Sequence, residues 1–231
     1  MATKTARYPT AEPFLPVKLT LPALREASKG CEGCDLYQCA TQTVFGEGPK
    51  AARVMFVGEQ PGDQEDKQGK PFVGPSGHVF DATLAKVGIE RSQVYVTNAV
   101  KHFKFEQRGQ RRIHSKPSAR QIAACKPWLK AEVAVIKPDV LVALGATAAQ
   151  AIMGSGFKVT KHRGETITDT TWAPIVMATV HPSSLLRAPD EASRRRAIAD
   201  FEKDLRAVKK QMDRLHSAGK RAPQSARNVH A

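Results

Sequence analysis

Four short runs along the chain are almost continuously apolar and rich in β-branched residues, a pattern typical of parallel strands buried on both faces. They lie at residues 53–58, 94–100, 139–145 and 175–180. Helical patterns lie between them, at residues 77–87, 118–136 and 146–153. Because strands and helices alternate in this way, we predict an α/β fold with three layers, α/β/α, around a central four-stranded parallel sheet.

A longer helix is predicted after residue 190. Five apolar side chains follow one another there at steps of three and four residues, which gives a helix one apolar face: Ile198, Phe201, Leu205, Val208 and Met212. We therefore expect one domain over residues 25–212. An N-terminal extension, 1–24, would precede it, and a basic, disordered tail, 213–231, would follow it.

The positive charge of the chain is concentrated in two segments. The formal net charge is +14, yet residues 1–100 carry equal numbers of basic and acidic groups. Residues 101–120 hold seven basic groups against one acidic group, and residues 191–231 hold eleven against five. Such localised charge suits a phosphate-bearing partner. A solvated helix face with a basic tail is the ordinary alternative for the second segment.

Nothing in the sequence indicates secretion or membrane insertion. The first residues lack the continuous apolar region of a signal peptide, and no apolar run approaches the roughly 20 residues that a membrane span needs. The four cysteines show no spacing typical of a disulfide framework. We expect an intracellular protein in a reducing compartment, where cysteines are free to bind metal.

Polar residues follow three of the four predicted strands. Glu59 and Gln60 come after the first strand, Asn98 lies near the end of the second, and His181 follows the fourth. Ligands of open parallel sheets bind outside the carboxyl ends of the strands, so one pocket can gather these side chains. The loop 58–66 carries four carboxylates, and taken alone it is more typical of a solvated acidic loop than of a binding loop. Phe72 is either a stacking surface for a planar base or an anchor for its loop.

Two further features carry chemistry. His114 ends the basic run Gln110–His114, where a histidine can bind phosphate, relay a proton or attack an electrophile; alone, it is typical of an exposed loop histidine. Cys31 and Cys34 form a close pair, and Cys125 lies far along the chain. A pair with distant single ligands is a common way to hold zinc or a four-iron cluster.

Four motifs together resemble those of the iron–sulfur uracil-DNA glycosylases, in order and in approximate spacing. They are Glu59–Gly62, Pro71–Gly74, Thr97–Lys101 and His181–Arg187. The resemblance covers roughly residues 25–210 and implies a uracil-DNA glycosylase-like fold. Within that superfamily, Gln60 and the long basic loop ending in His114 resemble family X, whose members become covalently joined to DNA at uracil. That family's loop usually ends in Lys-Arg-Arg-Ile-His, whereas Gln110 stands first here.

The resemblance implies a role for each matching residue. The catalytic residues would be Glu59, His114 and His181. Uracil would be bound by Gln60, Asp63, Phe72 and Asn98. The flanking DNA would be held by Arg111, Arg112, Ser183, Ser184 and Arg187. His114 would take the place of water and attack the sugar carbon C1′.

The resemblance also implies a 4Fe-4S cluster with a structural role. Its ligands would be Cys31, Cys34, Cys125 and His102, an imidazole that stands where related glycosylases have a cysteine. Cys39 is the rival for the fourth position, and the spacing alone does not decide between the two. A small buried residue is the ordinary interpretation of Cys39.

Three functions follow as alternatives: covalent capture of uracil-containing DNA, conventional hydrolytic uracil-DNA glycosylase activity, and nucleic-acid binding without chemistry. We expect single-stranded DNA to be preferred, because flipping a nucleotide out costs less there. We further expect a monomer in the cytoplasm, associated with the nucleoid through DNA and not with a membrane.

Overall fold

The computed structural model describes residues 10–219. Its main sheet contains four strands, which are β1 (Val54–Gly58), β2 (Tyr95–Asn98), β5 (Val140–Leu144) and β6 (Ile175–Thr179). The strands are all parallel and lie in the order β2-β1-β5-β6. The predicted α/β fold with a four-stranded parallel sheet is thus confirmed. Each predicted strand lies within about two residues of its observed bounds.

Two smaller strands form a separate antiparallel hairpin, β3 (Phe105–Arg108) and β4 (Arg111–His114). Eight helices complete the described part of the chain, together with short 3₁₀ turns. They are α1 (Leu21–Ser28), α2 (Asp63–Gln68), α3 (Pro75–Lys86), α4 (Ala119–Ile136), α5 (Ala146–Met153), α6 (Val159–His162), α7 (Pro182–Leu185) and α8 (Glu191–Gly219). The hairpin and α2 both lie in segments whose sequence predicts loops.

Alternation along each strand divides the core between the two faces of the sheet. Met55 and Val57 of β1 belong to one apolar cluster, which includes residues of α4 and α5. Val54 and Phe56 belong to the other, which includes residues of α3 and α8. Every β1 residue is buried, so the near-continuous apolar run reflects burial on both faces. The apolar stripe of α8 lies on the second face, as its spacing predicts.

A helix runs across each of the two predicted domain boundaries. Helix α1 runs across the expected boundary at residue 25, and Ala11 and Leu24 are buried in a third apolar cluster with three cysteines. The Ala11 amide also donates a 2.8 Å hydrogen bond to the Ala124 carbonyl. At the other end, α8 continues to Gly219, past the predicted limit at residue 212. The remainder of the predicted tail, 220–231, lies outside the described residues.

Candidate active site

The carboxyl ends of the parallel strands bring Glu59, Asn98 and His181 to one edge of the sheet, as their positions in the sequence predict. Glu59 follows β1, Asn98 ends β2 beside Gly58, and His181 follows β6. This edge also receives a contribution from β5, because α5 begins directly after that strand. All four strands of the sheet thus supply the candidate site.

Glu59 contacts the hairpin on one side and α5 on the other. His114 Nε2 lies 3.2 Å from Glu59 Oε1, and the Thr147 hydroxyl donates a hydrogen bond to Glu59 Oε2. Burial alone would raise the pKa of Glu59, but these hydrogen bonds and the charges of His114 and His181 lower it overall. The Glu59 carboxylate is therefore ionised at neutral pH. The His114 side chain is half-exposed, with 50% of its surface accessible.

Thr147 is a site residue that the sequence motifs did not indicate. It is 2% exposed and lies in the first turn of α5, just after β5. Site residues were predicted at the ends of three of the four strands, and none was predicted after β5, the third strand of the sheet along the chain. Applying the same strand-end argument to β5 would have identified this hydroxyl.

His181 is held as a neutral imidazole. The Ser183 amide donates to His181 Nδ1 over 3.1 Å, so Nδ1 is an acceptor and the proton of the neutral ring lies on Nε2. Burial lowers the pKa of His181 to about 4, although the Glu59 charge opposes this effect. Above that pH the ring presents an Nε2–H donor. Ser184 and Arg187 are exposed just beyond it, at the rim of the site.

Asn98 and Phe72 meet above Gly58. A Cβ atom at Gly58 would lie 2.3 Å from Asn98 Oδ1 and 3.0 Å from Phe72 Cζ, so only glycine allows this approach. Asn98 is 3% exposed, so a base that reached its side-chain amide would be largely buried. Phe72 has a positive φ of 60°, a strained conformation for an aromatic residue that is often retained at functional sites.

Gln60 contacts the protein itself. Its Nε2 donates to the carbonyls of Lys104 and Ser115, both over 3.1 Å, and its Oε1 accepts from the Lys104 amide over 3.1 Å. Lys104 and Ser115 flank the two strands of the hairpin. Gln60 therefore ties the base of the hairpin to β1, whereas the family resemblance predicts that it binds uracil.

Arg112 is also turned towards the protein. Its Nε lies 2.6 Å from Asp63 Oδ1, and its Nη1 lies 2.6 Å from Asp66 Oδ2. Its guanidinium lies over the rings of Phe103 and Phe105, 5.4 Å and 5.0 Å from their centroids. The Arg112 side chain is 15% exposed, and its ion pairs are with the protein, whereas the family resemblance predicts a phosphate contact. Asp63, expected to bind uracil, likewise pairs with Arg112 and Lys67.

The three cysteines of the predicted cluster share one apolar cluster at the N-terminal side of the domain. Cys125 Sγ accepts from the Lys101 amide, and Cys31 Sγ accepts from Trp128 Nε1, each over 3.2 Å. Burial raises the pKa of the Cys34 thiol to about 11, and the adjacent Cys31 contributes to the rise. Three buried sulfur atoms, two of them accepting N–H hydrogen bonds, are donors that an iron–sulfur cluster can use once it displaces the thiol protons.

His102 and Cys39 are the two candidates for the fourth ligand. His102 is 4% exposed and follows Lys101, whose amide contacts Cys125; burial lowers its pKa to about 4, which leaves the neutral ring that metals bind. Cys39 is exposed. Within residues 10–219, no group of three or more His, Cys, Asp or Glu side chains is arranged to hold a metal ion. A four-iron cluster takes each ligand at a different iron, so its ligands need not converge on one point.

Comparison with known proteins identifies the protein family that this chain matches. The model of the uracil DNA glycosylase superfamily matches residues 45–206. A type-4 uracil-DNA glycosylase of Thermotoga maritima is 40% identical over 187 residues, which is 80% of this chain and 93% of that protein. A type-4 enzyme of Sulfurisphaera tokodaii is 36% identical over 74% of this chain and 78% of its own length. A type-5 uracil-DNA glycosylase of Pyrobaculum aerophilum is 30% identical over 58% of this chain and 62% of its own.

Proposed function

The chain belongs to the uracil-DNA glycosylase superfamily, and we propose that it excises uracil from DNA and then bonds covalently, through His114, to the sugar left behind. Its similarity to type-4 uracil-DNA glycosylases supports the first step. The observation that carries the second is the position of His114 Nε2, 3.2 Å from the Glu59 carboxylate at the carboxyl edge of the sheet. A nucleophile next to a base is the arrangement that covalent catalysis requires.

Uracil recognition is assigned to Asn98 and Phe72. The stacked base must first be flipped out of the DNA, which costs less in a single strand, the substrate we propose as preferred. The Asn98 amide offers the donor and acceptor that match uracil O4 and N3, and Phe72 would pack against the base. Cytosine presents the opposite pattern at these atoms. Each buried polar group left unpaired by cytosine would cost on the order of 1–3 kcal/mol.

Cleavage of the C1′–N1 bond sends its electron pair to uracil and leaves positive charge on the sugar. The neutral His181 would donate its Nε2–H to uracil O2, where negative charge grows, as an oxyanion-hole donor does. Ionised Glu59 would stabilise the sugar cation. Ser184 and Arg187, exposed at the rim, would hold the flanking phosphates.

Capture then requires a proton transfer and one new bond. His114 Nε2 gives its proton to Glu59, and the freed electron pair bonds to C1′. The proton on Glu59 passes to the departing uracil anion, which leaves as neutral uracil. The product is a neutral alkylated imidazole joined to the abasic sugar, so no water is consumed and the protein acts once.

We assign Cys31, Cys34, Cys125 and His102 as the ligands of a 4Fe-4S cluster. When bound, the cluster would cross-link the N-terminal segment to α4 and to the end of β2. The reaction above needs no electron transfer from it. The three thiols support this assignment by their shared burial, and His102 by its neutral, buried ring.

Metal analysis of the purified protein tests the cluster. We expect a brown protein that contains iron and sulfide. His102→Ala should lose the colour, whereas Cys39→Ser should keep it, because the Cys39 side chain is exposed. A colourless wild-type protein that contains zinc would contradict the assignment, and loss of colour in Cys39→Ser alone would exchange the two candidates for the fourth ligand.

A denaturing gel separates the proposed function from its alternatives. Wild-type protein mixed with a uracil-containing single-stranded oligonucleotide should give a slowly migrating species that survives heat and detergent. His114→Ser should give no such species. Free uracil with multiple turnover and no adduct would support the conventional hydrolytic enzyme. Equal affinity for uracil and thymine oligonucleotides, with no product, would leave only a nucleic-acid-binding module.

A further inference from the structure

The hairpin has two chemically different faces, because side chains alternate along each strand. His114 and Arg112 lie on the inner face, towards Glu59 and Asp63. Arg111 and Ile113 of β4 therefore lie on the outer face. The register pairs Arg108 directly with Arg111, so Arg108 is on the outer face too.

The outer face brings two positive side chains together without a buried counter-charge. The β carbons of directly opposed residues lie about 4.5–5.5 Å apart, and like charges at such positions destabilise a hairpin. Both arginine side chains are exposed, and the 3.2 Å ion pair of Arg108 with Glu106 is an exposed contact of little energetic value. Ile113 follows on the same face and is 39% exposed, which is unusual for isoleucine.

The position of this face relates it to the site. The inner face holds His114 against Glu59, and Gln60 fixes the base of the hairpin. Arg108 and Arg111 belong to the same short hairpin, so both are within six residues of His114 along the chain. The turn between them contains Gly109 with a φ of +58°, as short antiparallel connections require. Their spacing is thus set by a tight turn and not by a long loop.

From this division we infer that Arg108 and Arg111 form a two-arginine clamp for a DNA phosphate next to the nucleotide held at His114, and that Arg112 is a strut that positions the hairpin. The inference rests on the proposed function and assigns a contact, Arg108, that no sequence motif indicates. Two guanidinium groups on one side of a hairpin can bracket a single phosphate, and a phosphate relieves their mutual repulsion. Such a contact is independent of base sequence.

The salt dependence of binding to a uracil-free single-stranded oligonucleotide tests the clamp. For each phosphate that the protein no longer neutralises, the negative slope of log K against log salt should become less steep by about 0.7. Because the two arginines share one phosphate, we expect the full change in the double variant and a smaller change in Arg108→Gln and in Arg111→Gln. Lys50→Gln is the matched control, since Lys50 is exposed and precedes β1 at the opposite edge of the sheet.

Arg112→Gln distinguishes the positioning role of Arg112 from the phosphate contact of Arg108 and Arg111. It should leave the salt slope at the wild-type value and slow adduct formation with uracil-containing DNA, because the hairpin is then no longer held by Asp63 and Asp66. Wild-type slopes in Arg108→Gln, in Arg111→Gln and in the double variant would overturn the clamp. The outer face would then be expected to bind an acidic protein surface instead of DNA. A full change of slope in Arg112→Gln would overturn the division of roles.

The binding assay is independent of the reaction. If wild-type protein forms no adduct but Arg108→Gln and Arg111→Gln change the salt slope, covalent capture is wrong and the clamp stands. If adduct forms at full yield in both variants at saturating DNA but their slopes equal that of wild type, the clamp is wrong and capture stands.

Discussion

Single residues at the carboxyl edge are kept in distinct charge states by their neighbours. Glu59 is held ionised by hydrogen bonds from His114 and Thr147, and His181 is held neutral by burial and by the amide that donates to its Nδ1. An anion beside the sugar and a neutral donor beside the base are the charges that glycosidic cleavage requires. Sequence motifs predicted the residue types, but the states depend on Thr147 and on a backbone amide, which no motif shows.

The depressed pKa of His181 predicts a pH effect on stability. The ordinary pKa of histidine is 6.5, and the pKa of His181 in the folded protein is about 4. Between these two pH values, His181 binds a proton in the unfolded chain but not in the folded protein. Stability should therefore fall as pH is lowered through this window. Between pH 7 and pH 5 the free energy of unfolding of wild type should fall by about 1–2 kcal/mol more than that of His181→Asn.

Denaturant unfolding at the two pH values provides the measurement. Asparagine keeps an acceptor for the Ser183 amide at the start of α7, so the variant lacks the titrating ring but retains the cap. Glu59 stays ionised across this range because its pKa is lowered. An equal loss of stability in the two proteins would contradict the assignment of a neutral His181.

At the scale of elements, the hairpin that carries His114 is the feature that sequence patterns did not predict. Its strands show no apolar face, because most of their residues are exposed and charged or polar. The parallel strands of the sheet were predicted because burial on both faces makes them continuously apolar. The hairpin instead depends on side-chain contacts with distant segments, such as that between Arg112 and Asp63, 49 residues apart.

Gln60 is predicted to control the rigidity of this hairpin. Gln60→Ala removes two donors and one acceptor from Lys104 and Ser115, so the hairpin base should open more often. Hydrogen exchange of the Lys104 amide should accelerate by a factor that corresponds to about 1–3 kcal/mol, and adduct formation should slow. Gln64→Ala is the control, because Gln64 is an exposed residue of α2. Unchanged exchange in Gln60→Ala would show that other contacts fix the hairpin.

At the scale of the molecule, a buried ion pair connects the sheet, α4 and the cysteine cluster. Lys101 Nζ lies 2.5 Å from Glu132 Oε2, and both side chains are almost fully buried. The same Nζ donates to the Asn98 carbonyl, and the Lys101 amide donates to Cys125. Tyr95 and Thr97 add hydrogen bonds to Glu132. The pair thus joins the strand that ends in Asn98 to the helix that carries Cys125.

Removing one partner of this pair should be more damaging than removing both charges. Lys101→Met leaves the Glu132 carboxylate buried without its cation, and should lower the free energy of unfolding by about 3–5 kcal/mol. Lys101→Met with Glu132→Gln should recover much of the loss, because the amide can still accept from Tyr95 and Thr97. Denaturant unfolding measures both variants. Equal or greater loss in the double variant would show that the charges are not coupled.

Sequence patterns thus predicted the sheet, its main helices and the strand-end residues, all of which follow from local apolar periodicity. They did not predict that Gln60, Asp63 and Arg112 are used to position the hairpin, because those contacts join segments far apart in the chain. The described helices include none long and apolar enough to cross a membrane.

Peptide mapping of the adduct tests whether His114 is the residue that bonds to the sugar. After reaction with uracil-containing DNA and digestion of the DNA, trypsin should release the peptide spanning residues 113–120, in which His114 is the only histidine. This peptide should carry the mass of the abasic deoxyribose phosphate, and fragmentation should place that mass on His114. An adduct on any other residue, or wild-type protein that releases uracil while this peptide stays unmodified, would contradict it.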